Sequence, residues 1–122
     1  AHNPDSTALL AENLQQKPVP GMTHAVVGML KDKDISESLA NLLSSVDYWY
    51  LTGLPVSRGE KPETLQSMLQ KIDPFASSQV FAEVDQAWEY ALTQASINDR
   101  IVVFGSFHTV GAIISISSLS DR

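Results

Sequence analysis

The stretch IVVFGSFHTVG, residues 101–111, decides how this chain is read. Residues 101–104 form an uninterrupted apolar run of the length of a buried strand. Gly105 permits a sharp turn, and Ser106, Phe107 and His108 follow where that strand runs out. Two readings of this turn are open. A helix beginning at Ser106 or Phe107 would leave backbone N–H groups free for a carboxylate or phosphate. The alternative is an ordinary serine cap after a glycine turn, with His108 exposed. A nucleophile–base pair of Ser106 and His108 is set aside, because no carboxylate partner is indicated and no G-x-S-x-G elbow exists.

Working outward, strand and helix signals alternate. Residues 5–17 predict a helix, with Leu10 and Leu14 on one face and Pro18, Pro20 and Gly21 ending it. Residues 23–30 predict a buried strand. Residues 34–45 predict a helix through Ile35, Leu39, Leu42 and Leu43, and Asp34 followed by Glu37 resembles a capping box. Residues 47–51 (DYWYL) predict an aromatic-rich strand, and residues 52–61 a Gly- and Pro-containing loop. Pro62 suits the first turn of a helix reaching Ile72. A short strand near 79–82 and a helix to about residue 96 follow, and Asn98-Asp99 makes the turn into the strand at 101–104. A final helix is expected over 107–119. The pattern predicts an α/β fold, a Rossmann-like three-layer αβα sandwich with a mostly parallel sheet. In such sheets ligands bind at the carboxyl ends of the strands. Three loops, at 31–34, 52–58 and 105–108, are expected to converge there.

Composition bounds the function. The chain has 122 residues, 43% of them hydrophobic and 18% charged, which suits one soluble globular domain. There is no cysteine, so disulfides and thiolate metal sites are excluded. No apolar run can span a bilayer and no leader opens the sequence, so neither a membrane nor a secretory route is expected, and a cytoplasmic location is. Net charge is −6 without a Lys/Arg cluster, which argues against nucleic acid but leaves room for a small anion. The abrupt opening AHNPD suggests a piece of a longer chain.

Candidate site residues follow from the loops. Lys33, in KDKD, lies where a strand end meets a helix N-terminus and can pair with a carboxylate; a solvated charge run is the competing reading. His2 can stack on a nucleobase or bond a ribose, against the reading of a loose terminus. Arg58 can reach a phosphate or carboxylate, or serve as a surface arginine. His2, His24 and His108 have no ligand-like spacing with acids, so no metal site is expected, and His24 reads as structural. There is no G-x-x-x-x-G-K-[ST] phosphate loop.

Together, AHNP at the start, VVGMLKDKDI at 26–35, DYWYLTGLP at 47–55, SRG at 57–59 and DRIVVFGSFHTVGAI at 99–113 resemble the C-terminal domain of bacterial bifunctional dihydrofolate synthase/folylpolyglutamate synthase, within the Mur ligase family. The resemblance covers nearly the whole chain. It implies a domain that closes over an ATP-dependent ligase site, where a carboxylate becomes an acyl phosphate and the amine of L-glutamate attacks it. It implies L-glutamate, ATP and dihydropteroate or folate as partners of the whole enzyme, which is expected to be a monomer, with ATP and Mg2+ held mainly by a central domain absent from this sequence. No catalytic residue is implied here, and the fragment alone is expected to be inactive. Lys33, Ser106, Phe107 and His108 would bind glutamate, and His2 and Asn3 the nucleotide. Asp34 and Arg58 match only the folate subgroup and receive no firm role. A stand-alone Rossmann-like module for a nucleotide or small anion, and a purely structural domain, are the alternatives.

Overall fold

The computed structural model describes residues 4–31, 34–105 and 112–115. Its elements are α1 (Pro4–Gln16), β1 (Thr23–Gly28), α2 (Ile35–Leu42), β2 (Tyr48–Thr52), α3 (Pro62–Ile72), β3 (Ser77–Phe81), α4 (Val84–Gln94), β4 (Arg100–Gly105) and β5 (Ala112–Ser115). They form a five-stranded sheet in the order β3-β2-β1-β4-β5. The first four strands are parallel, with His24 opposite Tyr48 and Ile101, and β5 runs antiparallel beside β4.

The central strand THAVVG is buried along its whole length, as expected for a parallel strand covered on both faces. On one face Val27, Leu51 and Phe104 meet Leu14, Leu39, Leu42, Leu65 and Leu69 from α1, α2 and α3. Each of these leucines is essentially solvent-free, and truncation to alanine at such a site typically costs about 2–5 kcal/mol. On the other face, among the described residues, α4 is the helix that covers the sheet. Its small Ala87 and Ala91 let the helix sit close to Val26, Tyr50 and Ile101. Tyr50, Phe81 and Tyr90 fill the margin as a mutually packed aromatic set.

Local chemistry fixes the helix ends. Pro62 opens α3 where its missing N–H costs nothing. Glu83 and Gln86 form a reciprocal capping box on α4. Asp34 does occupy the position before α2, but its side chain makes no cap hydrogen bond, so the capping box expected from Asp34 and Glu37 is absent. That helix ends at Leu42 rather than residue 45.

The main departure from expectation is at the end of the chain. The helix expected over 107–119 is replaced at 112–115 by β5, whose Ile113 and Ile114 pair with Val102 and Ile101. Consecutive isoleucines satisfy either a buried helix or a strand by hydrophobicity. Their β-branching and the otherwise open edge of β4 favour the strand.

Candidate functional site

Strand order locates the site. From β1 the chain steps outward to β2 and β3, then crosses back through α4 to place β4 on the other side of β1. The topological switch therefore falls between β1 and β4, and folds of this class bind their ligands at the carboxyl ends of the strands that flank it. There Gly28 pairs with Gly105. Gly105 has φ +125°, and a Cβ on it would fall on the carbonyl oxygen of Gly28. Two glycines thus let the backbones of β1 and β4 close together before their loops diverge.

The loop after β2 is tied to the loop after β1. The Lys31 N–H donates to the Arg58 carbonyl at 2.8 Å, and the Glu60 N–H to the Met29 carbonyl at 2.8 Å. Leu30 and Gly59 form an antiparallel bridge between these bonds. Gly59 is hemmed in, since a Cβ there would lie 3.0 Å from Leu54 Cβ and 3.1 Å from the Val56 carbonyl. The carboxyl edge accordingly gathers Gly105, the exposed Lys31 and Asp34, and the exposed Arg58. Lys33, Ser106, Phe107, His108, His2 and Asn3 lie outside the described residues. The α1 segment that follows His2 and Asn3 has its last turn fixed at the opposite, amino edge, where Arg100 donates to the Lys17 and Leu14 carbonyls at 2.6 and 3.1 Å. Its first turn therefore faces away from that edge.

The amino edge carries a second polar cluster. His24 is buried, with Nε2 2.8 Å from Asp99 Oδ2 and Nδ1 2.8 Å from the Tyr50 hydroxyl. Asp99 also accepts the Met22 and Ser96 N–H groups at 2.8 and 2.9 Å. Burial alone would raise the Asp99 carboxyl, but these two N–H groups and His24 outweigh it and hold it below the usual carboxylate range. With Asp99 ionised, Nε2–H donates to it, and Nδ1 then accepts the Tyr50 O–H. Burial, helped by Tyr90, Tyr48 and Asp99, pushes the Tyr50 phenol up to about 12. His24 is thus structural, as its place in a strand implied. Sequence reasoning gave no sign of its partners, because Tyr50 and Asp99 are 26 and 75 residues away. Two shallow grooves of about 320 and 250 Å³ adjoin this cluster and share Tyr48, Tyr50 and Gln94. They sit at the strands' amino ends, where this fold class does not place its ligands.

Among the described residues no three His, Asp or Glu side chains converge as a metal could require. The sequence also holds no G-x-x-x-x-G-K-[ST] phosphate loop. Among the described residues, too, no helix is long and apolar enough to cross a membrane.

A mostly parallel sheet with a glycine-paired switch between β1 and β4 defines a Rossmann-like α/β domain. Comparison with known proteins narrows this. Residues 1–107 match the family described as Mur ligase, glutamate ligase domain, and the chain belongs to that family. It is 38% identical over 116 residues to the dihydrofolate synthase/folylpolyglutamate synthase of Escherichia coli K12, covering 95% of this chain and 26% of that protein. The structure of E. coli FolC with DHPP and ADP superposes with a TM-score of 0.81 at 38% identity, over 99% of this chain and 27% of that one. A bifunctional folylpolyglutamate synthase/dihydrofolate synthase with Mn, AMPPNP and L-glutamate bound gives 0.72 at 39% identity, over 90% of this chain and 25% of that one. The chain spans about a quarter of the length of the relatives it matches.

Proposed function

We propose that this chain is the amino-acid-binding domain of a longer ATP-dependent carboxylate–amine ligase that adds L-glutamate to dihydropteroate and to folates. The observation that carries the reading is the tied carboxyl edge at the β1/β4 switch, in a chain of the Mur ligase glutamate ligase family. The similarity to synthases of that specificity along 95% of the sequence supports the substrate class. In the reaction, a substrate carboxylate oxygen takes the γ-phosphoryl group of ATP and releases ADP. The glutamate amine, as the free base, attacks the acyl carbon. The tetrahedral intermediate expels phosphate and the nitrogen loses a proton, leaving an amide.

This domain's part is to hold the amine in line. Lys33 offers a cation to one glutamate carboxylate, and Ser106 with the Phe107 N–H offers donors beside it, each worth about 1.5–3 kcal/mol when charge-assisted. His108 is assigned to the same ligand, and His2 and Asn3 to the nucleotide. Binding here converts attack by free glutamate into a reaction between held partners. Closure of this domain on the remainder of the ligase brings the amine to the acyl phosphate. ATP and Mg2+ are held by that remainder. The stand-alone anion-binding module is the weaker reading, since the proteins matching this chain along 95% of its length are synthases.

The test is a ligation assay on the intact protein. Dihydropteroate, L-glutamate and ATP should give dihydrofolate, ADP and phosphate, while residues 1–122 alone should give none. Product from the isolated domain, or none from the intact protein, contradicts the proposal.

A further inference from the structure

β3 ends the sheet, and among the described residues no strand pairs with its outer side. The Phe81 carbonyl accepts the Gly53 N–H at 3.2 Å, so Phe81, and by alternation Gln79 and Ser77, turn their backbone groups toward β2. Ser78 and Val80 therefore each turn an N–H and a carbonyl away from the sheet. Free edges of this kind are ordinarily blunted by a charge, a proline or a bulge. SSQVF has no charge and no proline, and its register with Tyr48–Thr52 is continuous. A trough lies beside this open edge. α4 packs through Ala87 and Ala91 onto Val26, Tyr50 and Ile101, in β1, β2 and β4, and leaves Ser77 and Gln79 exposed. A groove of about 550 Å³ between β3 and α4 is walled by Phe81, Gln86, Glu89 and Tyr90. It meets the 320 Å³ groove at Tyr90, whose hydroxyl accepts the Gln79 amide N–H at 3.1 Å. The surroundings are acidic: residues 72–98 include Asp73, Glu83, Asp85 and Glu89 and no Lys or Arg.

From this juxtaposition of an open strand edge, a flanking helix and one sign of charge, we infer that β3 takes up an extended basic segment of a partner protein as an added strand. Main-chain bonds to Ser78 and Val80 supply affinity, and the alternate side chains of the segment supply specificity. Those that fall on the α4 face enter the trough. There a lysine or arginine lays its stem along Phe81 and Tyr90 and brings its charge to Glu89. A second copy of this chain is a poor occupant, because it would bring the same acids to the contact. The surface lies on the flank of the sheet and is independent of the ligand at the carboxyl edge.

The test titrates the intact protein against a short fluorescein-labelled peptide alternating lysine and valine, read by anisotropy. The peptide should bind saturably, and its counterpart alternating glutamate and valine should not. N-methylation separates main-chain pairing from charge and needs no altered protein. Methylating the peptide nitrogens of one alternate set should weaken binding about tenfold or more, and methylating the other set should leave it within about twofold. Ser78→Pro removes an outward N–H from the edge and should weaken the unmodified peptide about tenfold, with the urea midpoint confirming that the variant is folded. Glu89→Lys should weaken it about fivefold. Equal binding of the two methylated peptides, or binding of the glutamate peptide, shows adsorption without strand pairing and overturns the proposal. Absence of binding to the intact protein overturns it as well, because the edge is then closed to a partner. A dimer of the intact protein that Ser78→Pro dissociates makes a second copy the occupant and likewise overturns it.

Discussion

Gly105 and Gly28 meet where neither can be crowded: a side chain on Gly105 would occupy the space of the Gly28 carbonyl oxygen. The contact joins the ends of the two strands that flank the topological switch, so it sets how the loops of the candidate site leave the sheet. Gly105→Ala meets both a steric clash and a φ of +125° that L-residues rarely adopt. It should destabilise the domain by about 3 kcal/mol or more, read as a lowered denaturation midpoint in urea.

Arg100 should prove as important at the other edge. Its guanidinium is buried, donates to Thr23 Oγ1 at 2.8 Å and satisfies the last carbonyls of α1 through Leu14 and Lys17. Burial lowers its pKa while Asp47 supports the charge. Arg100→Ala leaves those acceptors unpaired and should cost roughly 3 kcal/mol. The same urea titration checks this, and Arg100→Lys should recover only part of the loss, since a lysine cannot serve three acceptors in one plane.

Acid stability should depend on Asp99. Its carboxyl is held below the ordinary 3.8 in the folded chain, so the stability it contributes is present above that pH and is lost as pH falls through the lower folded value. Asp99→Asn should be less stable at neutral pH and should show a flatter loss of stability below about pH 4. An unaltered acid limb in the variant would show that other carboxylates set it.

Alkaline stability should depend on Tyr50. Its phenol ionises near 10 in the unfolded chain and about 12 in the folded one, so the unfolded state releases its proton first and stability falls between those values. Tyr50→Phe removes the hydrogen bond to His24, at a cost of about 1 kcal/mol near neutrality, and should flatten that alkaline decline. Thermal melts from pH 9 to 12 compare the two proteins.

The sequence made the α/β alternation legible because its signals are local. Pro62 marks the start of α3, and the apolar runs at 23–28 and 101–104 mark strands that are buried on both faces. Where strand order mattered, local signals ran out. The crossing of α4 that makes β1 and β4 neighbours, and with it the Gly28–Gly105 contact, depends on residues 77 positions apart. The clasp of Lys31 with Arg58 and the Asp99–His24–Tyr50 network are equally nonlocal, and no spacing rule announces them. β5 shows the other limit. Ile113 and Ile114 suit a helix or a strand by hydrophobicity, and only the free edge of β4 decides between them. Lys33 and Ser106 were singled out by their position at strand ends and by family resemblance, while the description of the carboxyl edge rests on their neighbours Lys31, Asp34 and Gly105.

The central claim is that this edge binds the incoming glutamate, and the glutamate KM of the intact ligase carrying Lys33→Ala tests it most directly. The account predicts a rise of about tenfold or more, with the KM for ATP unchanged. A glutamate KM equal to that of the unaltered enzyme would contradict it.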